Sequence, residues 1–190
     1  LREHNAQIGI TASTGIAATH MGGTTIHAWS GLGIRDTLSA YDLEALEEKP
    51  YLWKRFENVH VLIIDEISML HHYRLDLVDK IARSFKRTDK PFGGMQTILC
   101  GDFFQLPPVS RAYERPAEFC YHADVWKELD LNVCYLEEQH RQEDGAYLDI
   151  LNAIRDNAVS PETTRILATR KNQKPESVAE PTKLYTHNAD

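Results

Sequence analysis

The segment VHVLIID, residues 59 to 65, is apolar at nearly every position and runs directly into a second acid, Glu66. A strand with one wet face would alternate apolar and polar residues. A continuous run rich in Val and Ile belongs to a strand covered on both faces, as in a parallel sheet. Parallel strands need long crossovers, usually helices, so this run commits the chain to βαβ units and an α/β architecture.

The remaining sequence supplies the other parts of such a fold. MQTILCGD (95 to 102) is a second buried strand, and QIGITAS (7 to 13) is a shorter one that enters the small turn STG ahead of a helix, IAATHM. GGTTIHAWSGLGI reads as two glycine-punctuated turns. DLEALEEKPYLWKRF places Leu43, Leu46, Leu52, Trp53 and Phe56 on a helical stripe that Pro50 interrupts, which predicts two short helices. RLDLVDKIARSFKR sets Leu77, Val78, Ile81, Ala82 and Phe85 opposite its charges, an amphipathic helix.

After about residue 132 the alternation restarts. NVCYLEEQ reads as a strand, and GAYLDILNAIRDN as a helix carrying Tyr147, Leu148, Leu151 and Ile154. SPETTRILATRK reads as a helix capped by Ser160 with Pro161 in its first position, and TKLYT as a further strand. RKNQKPESVAEP (170 to 181) is linker-like, and there is no internal repeat.

Composition narrows the function. Hydrophobic residues at 42% and charged residues at 26% fit a globular chain and not a disordered one. No apolar run approaches the roughly 20 residues of a membrane helix, and no basic-then-apolar leader opens the chain, so it reads as intracellular and not membrane-bound. Cys100, Cys120 and Cys134 form no close pair, which argues against a disulfide framework or a zinc knuckle and for reduced thiols in packed positions. The net charge of −7 lacks the overall basicity of a nucleic-acid binder, so any such surface must be local. Arg83, Lys86, Arg87 and Lys90 are the basic cluster; they suit a solvated helix end or a phosphate contact.

In open parallel sheets ligands bind beyond the carboxyl ends of the strands. Three strands end suggestively here, in ITAST, LIIDE and LCGDFFQLPP. Asp65 could hold magnesium while Glu66 polarises an attacking water. The same pair also suits an ordinary strand leaving the core. In GDFFQLPPV, Gly101 permits a sharp exit, Pro107 and Pro108 stiffen the loop, and Gln105 can donate to and accept from a phosphate or water. These residues would equally cap a core.

TASTGIAA, GGTTIHAW, VLIIDEISML, GDFFQLPPV and EEQHRQED occur in the same order as in the petite-integration-frequency (PIF) family of DNA helicases, in the RecD-like branch of helicase superfamily 1, which this sequence resembles over nearly its whole length. The resemblance implies a RecA-like phosphate-loop NTPase fold with a parallel sheet flanked by helices. It implies a motor driven by ATP with Mg2+, moving five-prime to three-prime on single-stranded DNA and opening forked or structured duplexes, with replication or repair partners. Asp65 and Glu66 would be its Walker B magnesium ligand and water-activating acid, Gln105 the residue linking γ-phosphate to DNA, and Arg141 an arginine finger. An aromatic residue often precedes that arginine in the family, where His140 stands here. Outside the resemblance, Arg141 suits a surface pair with Glu137, Glu138 or Glu143. Thr11, Ser13, Thr14, Thr24, Thr25 and His27 would face DNA phosphates, with Trp29 or the phenylalanines of GDFFQ as stacking surfaces. Apart from the resemblance, these hydroxyls suit turns and Trp29 a core.

The family opens with a glycine-rich loop ending in Gly-Lys-Ser/Thr, which this sequence does not contain. That loop is therefore expected upstream of Leu1. Residues 1–132 would form a first RecA-like domain without its opening strand and loop, and 133–190 the beginning of a second. Such a piece is expected to hydrolyse ATP negligibly by itself and to self-associate through exposed apolar edges. A non-catalytic DNA-binding or scaffold descendant, a relaxase-linked helicase of conjugation and a nucleotide kinase are the competing readings.

Overall fold

In the computed structural model, which describes residues 6–110, 115–138, 140 and 144–173, the apolar run becomes β3 (Val61–Asp65). It pairs with β1 (Ile8–Ala12) and β4 (Gln96–Leu99), and β1 pairs in turn with β2 (Thr24–Thr25), giving the order β2-β1-β3-β4 with every pair parallel. In register, Ala12 stands beside Asp65 and Thr25, and Ile64 beside Leu99. The path leaves β1 in one direction, then returns across it to β3 and continues to β4. Right-handed crossovers in opposite directions lay their helices on opposite faces, and the reversal opens a crevice at the carboxyl ends of β1 and β3.

The helices follow that rule. α1 (Gly15–His20) links β1 to β2, and Gly23, just after it, lies close against Ile10. The opposite face carries α2 (Ile26–Ser30), α3 (Ala40–Glu47), α4 (Pro50–Asn58) and α5 (His72–Lys86), whose Ile26, Leu46, Leu52, Phe56, Leu75 and Ile81 are fully buried with Leu62 and Ile64 of β3. Phe56 stacks on Phe85 and meets Trp29 edge-on. Pro50 does separate two helices; Ser39 caps the first in a capping box with Asp42. Where two turns are expected at GGTTIHAWSG, the chain makes the short β2 and the single-turn α2, with Thr25 capping it.

Coverage of the sheet departs from expectation. Ile8, Ile10, Ile63 and Ile98, on the α1 face, are only half-buried among the described residues, because one short helix cannot shield that face. α6 (Asp124–Glu128) closes the first unit by packing against α5.

The chain divides into two compact units, Leu1–Val133 and Cys134–Asp190. The second contains α7 (Gly145–Arg155), capped by Asp144, and α8 (Pro161–Thr169), capped by Ser160 as its sequence suggests. NVCYLEEQ is not a strand over its described residues: Tyr135 and Leu136 are 85% and 96% exposed and no ladder forms. Apolar letters supply strand propensity, but a strand exists only through a partner. Cys134, expected in a packed position, is exposed, whereas Cys120 is buried. TKLYT lies outside the described residues.

Candidate functional site

The strand order brings ITAST, GGTT, LIIDE and LCGDFFQ to one rim. The rim is tied together by backbone. The Ser13 N–H donates to the Asp65 carbonyl at 3.0 Å, the Ile67 N–H to Cys100 O at 2.9 Å and the Cys100 N–H to Ile64 O at 3.0 Å. A Cβ on Gly101 would sit 2.9 Å from the Ile67 nitrogen, so only glycine lets β4 leave the sheet this close to the acidic turn.

Asp65 ends β3 and Glu66 follows in the left-handed region, at φ 52 and ψ 44. Both are half-buried. Neither carboxylate has a hydrogen-bond or ion-pair partner among the described residues, although a carboxylate withdrawn from water normally acquires one. The Asp65 charge is felt next door: burial first, and that carboxylate second, hold the Cys100 thiol above its ordinary range. Two adjacent, unpaired, hard oxygen donors at a strand end fit a divalent cation and an activated water. Ser68, two residues on, is fully buried with its hydroxyl unpartnered.

Gln105 is exposed on a turn built around Asp102. That carboxylate accepts the Phe104 N–H at 3.0 Å and the Gln105 side-chain amide at 3.1 Å. The Gln105 side-chain carbonyl stays free among the described residues. Phe104 is 75% exposed, whereas Phe103 packs edge-on against Phe119, Tyr121 and Trp126. Arg141 lies outside the described residues.

The hydroxyl track divides into two sets. Thr11 is fully buried and donates to the Ile63 carbonyl at 2.6 Å, and Ser13 donates to the Glu66 carbonyl at 2.7 Å. A hydroxyl has one proton, so neither can also donate to a phosphate. This corrects the expectation of Thr11 as a DNA contact, since its position on the helix-covered face of β1 turns it inward. Thr14 and Thr25 use oxygen lone pairs to cap α1 and α2, accepting from Ala17 and Ala28, and among the described residues their protons are not donated. Thr24 is exposed. His27 is half-buried on α2 with Nε2 unpartnered, and its pKa is lowered to about 4 by burial and then by the charges of Arg74 and His71, so it is neutral at pH 7. Trp29, the alternative stacking surface, is core: 5% exposed, with its indole where a Cβ on Gly9 would come within 2.9 Å.

Sequence reasoning missed the inward roles of Thr11 and Ser13. The signal was the alternation along β1, readable only once β1 is known to pair with β3.

An acidic pair at the reversal point of a parallel α/β sheet, with hydroxyls on the adjoining strand ends, defines the class of nucleotide-binding folds to which phosphate-loop NTPases belong. The family model of the PIF1-like helicases matches residues 1–164, and the chain belongs to that family. It is 45% identical to the ATP-dependent DNA helicase Pif1 of Psychrobacter sp., a match covering 100% of this chain and 30% of that protein. To the ATP-dependent DNA helicase PIF1 of Homo sapiens it is 39% identical, over 95% of this chain and 28% of that protein. The Candida albicans Pif1 helicase superposes with a TM-score of 0.80 at 34% identity, covering 92% of this chain and 40% of that one. The Bacteroides Pif1 helicase in complex with ADP-AlF3 and ssDNA superposes at 0.77, also at 34% identity, over 90% and 41%. The fold is therefore RecA-like, and the chain spans less than a third of the two curated relatives.

Proposed function

We propose that this chain is the hydrolytic and DNA-facing part of an ATP-dependent DNA helicase that moves five-prime to three-prime on single-stranded DNA. The observation that carries the reading is the shared rim: unpartnered Asp65 and Glu66 on β3, with Thr14, Thr24 and Thr25 offering hydroxyls from the neighbouring strand ends. Asp65 would hold magnesium, which supplies charge neutralisation to the triphosphate. Glu66 takes the proton of the attacking water. Gln105, stiffened by Asp102, contacts the γ-phosphate through its free carbonyl or amide, and Arg141 stabilises charge on the transferring group.

On the DNA side, Thr14, Thr24 and Thr25 donate to backbone phosphates, which carries no sequence preference. Phe104 offers a stacking face. Residues from 133 onward open a second RecA-like domain, a reading supported by the division after Val133. Relatives that bind single-stranded DNA and an ATP transition-state mimic support the substrates. An intracellular site of action suits a DNA motor.

The test is ATP turnover by the full-length gene product with and without an oligothymidylate. Turnover should rise with the oligonucleotide, and Glu66→Gln should lower it by about a hundredfold or more, in line with loss of a positioned base. Undiminished turnover in Glu66→Gln, or indifference to DNA, would sink the proposal.

A further inference from the structure

Glu66 is held from two sides. Its carbonyl accepts the Ser13 hydroxyl at 2.7 Å and the Met69 N–H at 3.1 Å, and the next residue's N–H is fixed on Cys100 O at 2.9 Å. Its backbone lies in the left-handed region, at φ 52, where a residue with a side chain stays only when its surroundings over-determine it. Of the groups doing so, Ser13 alone uses a side chain. It stands one residue beyond β1, and Thr14, with a proton free for a phosphate, follows directly.

We infer that Ser13 is a positioning residue for hydrolysis and not a DNA contact: its hydroxyl fixes the backbone of Glu66 and so the placement of that carboxylate against the attacking water. The inference rests on the reading of Glu66 as the water-activating acid. Because the single Ser13 proton is committed to Glu66, its removal acts on the chemical step and leaves phosphate contacts to Thr14, Thr24 and Thr25. It also makes the end of β1 a physical link between the DNA-facing hydroxyls and the acid, since Thr14 is joined directly to the residue whose hydroxyl holds the Glu66 carbonyl.

The experiment uses the full-length gene product at saturating ATP and oligothymidylate. Ser13→Ala should lower kcat by about tenfold, with KM for ATP and the Kd for the oligonucleotide both within about twofold. Ser13→Thr, which keeps the donor, should recover kcat to within about threefold, and Ser13→Cys, a weaker donor in the same space, should fall between. The ordering among Ser, Thr and Cys also holds the test open if the alanine variant does not fold. The inference is overturned if Ser13→Ala weakens oligonucleotide binding while kcat is kept, or if Ser13→Thr is as impaired as Ser13→Ala. Glu66→Gln measured in parallel separates the two failures. If it remains active, the assignment of the acid fails; if it is inactive while Ser13→Ala turns over normally, only the role of Ser13 fails.

Discussion

At the amino end of the sheet, where α5 finishes, every cation of the basic cluster except Lys90 is tied into the fold. Lys86 donates to the Val59 carbonyl at 2.8 Å, Arg83 pairs with Asp79 at 2.6 Å and Glu128 at 2.7 Å, and Arg87 reaches Glu47 at 3.4 Å and lies over Trp53. At the carboxyl end, Asp65 and Glu66 have no partners among the described residues, and neither Thr14 nor Thr25 donates its hydroxyl proton within them. The two ends are thus opposite in use. The basic cluster, which in the sequence suits a solvated helix end or a phosphate contact, is largely structural, and the acidic, hydroxyl-bearing end keeps its groups uncommitted among the described residues. Unpaired, half-buried carboxylates persist where something outside the chain is meant to meet them.

Stability measurements put the contrast at risk, with the largest effect expected at Asp79. That residue is 6% exposed, accepts the Phe92 N–H at 2.6 Å and the Arg83 guanidinium, and so secures a turn in which Phe92 has φ 49. Burial pushes its carboxyl above the ordinary range, against the pull of the Phe92 N–H and of Arg83. Asp79→Ala should cost about 2–3 kcal/mol in urea unfolding, because it strands the buried Phe92 N–H and takes one of two carboxylates from Arg83. Asp65→Asn and Glu66→Gln should change stability by less than about 0.5 kcal/mol. If the carboxyl-end acids proved equally costly to neutralise, they too would be structural.

A smaller effect concerns His27, the one group on the hydroxyl-bearing segments whose ionisation burial controls. Its pKa in the fold is about 4, below the ordinary 6.5. The unfolded chain therefore takes up a proton that the folded chain refuses. Stability is complete above about pH 6.5 and is lost as the pH falls toward 4. Asp36 opposes the shift, while burial, Arg74 and His71 drive it. The urea midpoint should drop between pH 7.5 and pH 5, and His27→Gln should flatten that dependence; an unchanged slope would show the ring charging freely in the fold.

How much of this was legible beforehand depends on sequence distance. β3, the stripe of α5 and the break at Pro50 are local patterns, and each survives folding. Pairing is not local: β1 meets β3 across some fifty residues, and only that register shows Thr11 facing into the helix-packed layer while Thr14 and Thr25 stay at the rim. Trp29 was ambiguous for the same reason, since the glycine that admits its indole, Gly9, lies twenty residues away on another element. Tyr135 and Leu136 show the converse, strand-like residues that no strand among the described residues pairs with.

The smallest effect gives the comparison its sharpest test. Arg87 is 67% exposed at its side chain, its ion pair with Glu47 is long, and its guanidinium lies 5.1 Å from the Trp53 ring centroid. Exposed pairs and stacked cations of this kind are each worth about 0–1 kcal/mol, so Arg87→Ala should barely move the urea midpoint. The more telling measurement is oligonucleotide affinity as a function of salt. A cation that neutralises a phosphate contributes about one unit to the slope of log affinity against log salt. Arg87→Ala and Lys90→Ala should leave that slope and the Kd as they are, whereas Thr24→Ala and Thr25→Ala should weaken binding at every salt concentration with the slope kept, because a neutral hydroxyl releases no counterion. A slope that falls with Arg87→Ala would move DNA to the amino end of the sheet and reverse the assignment of the two ends.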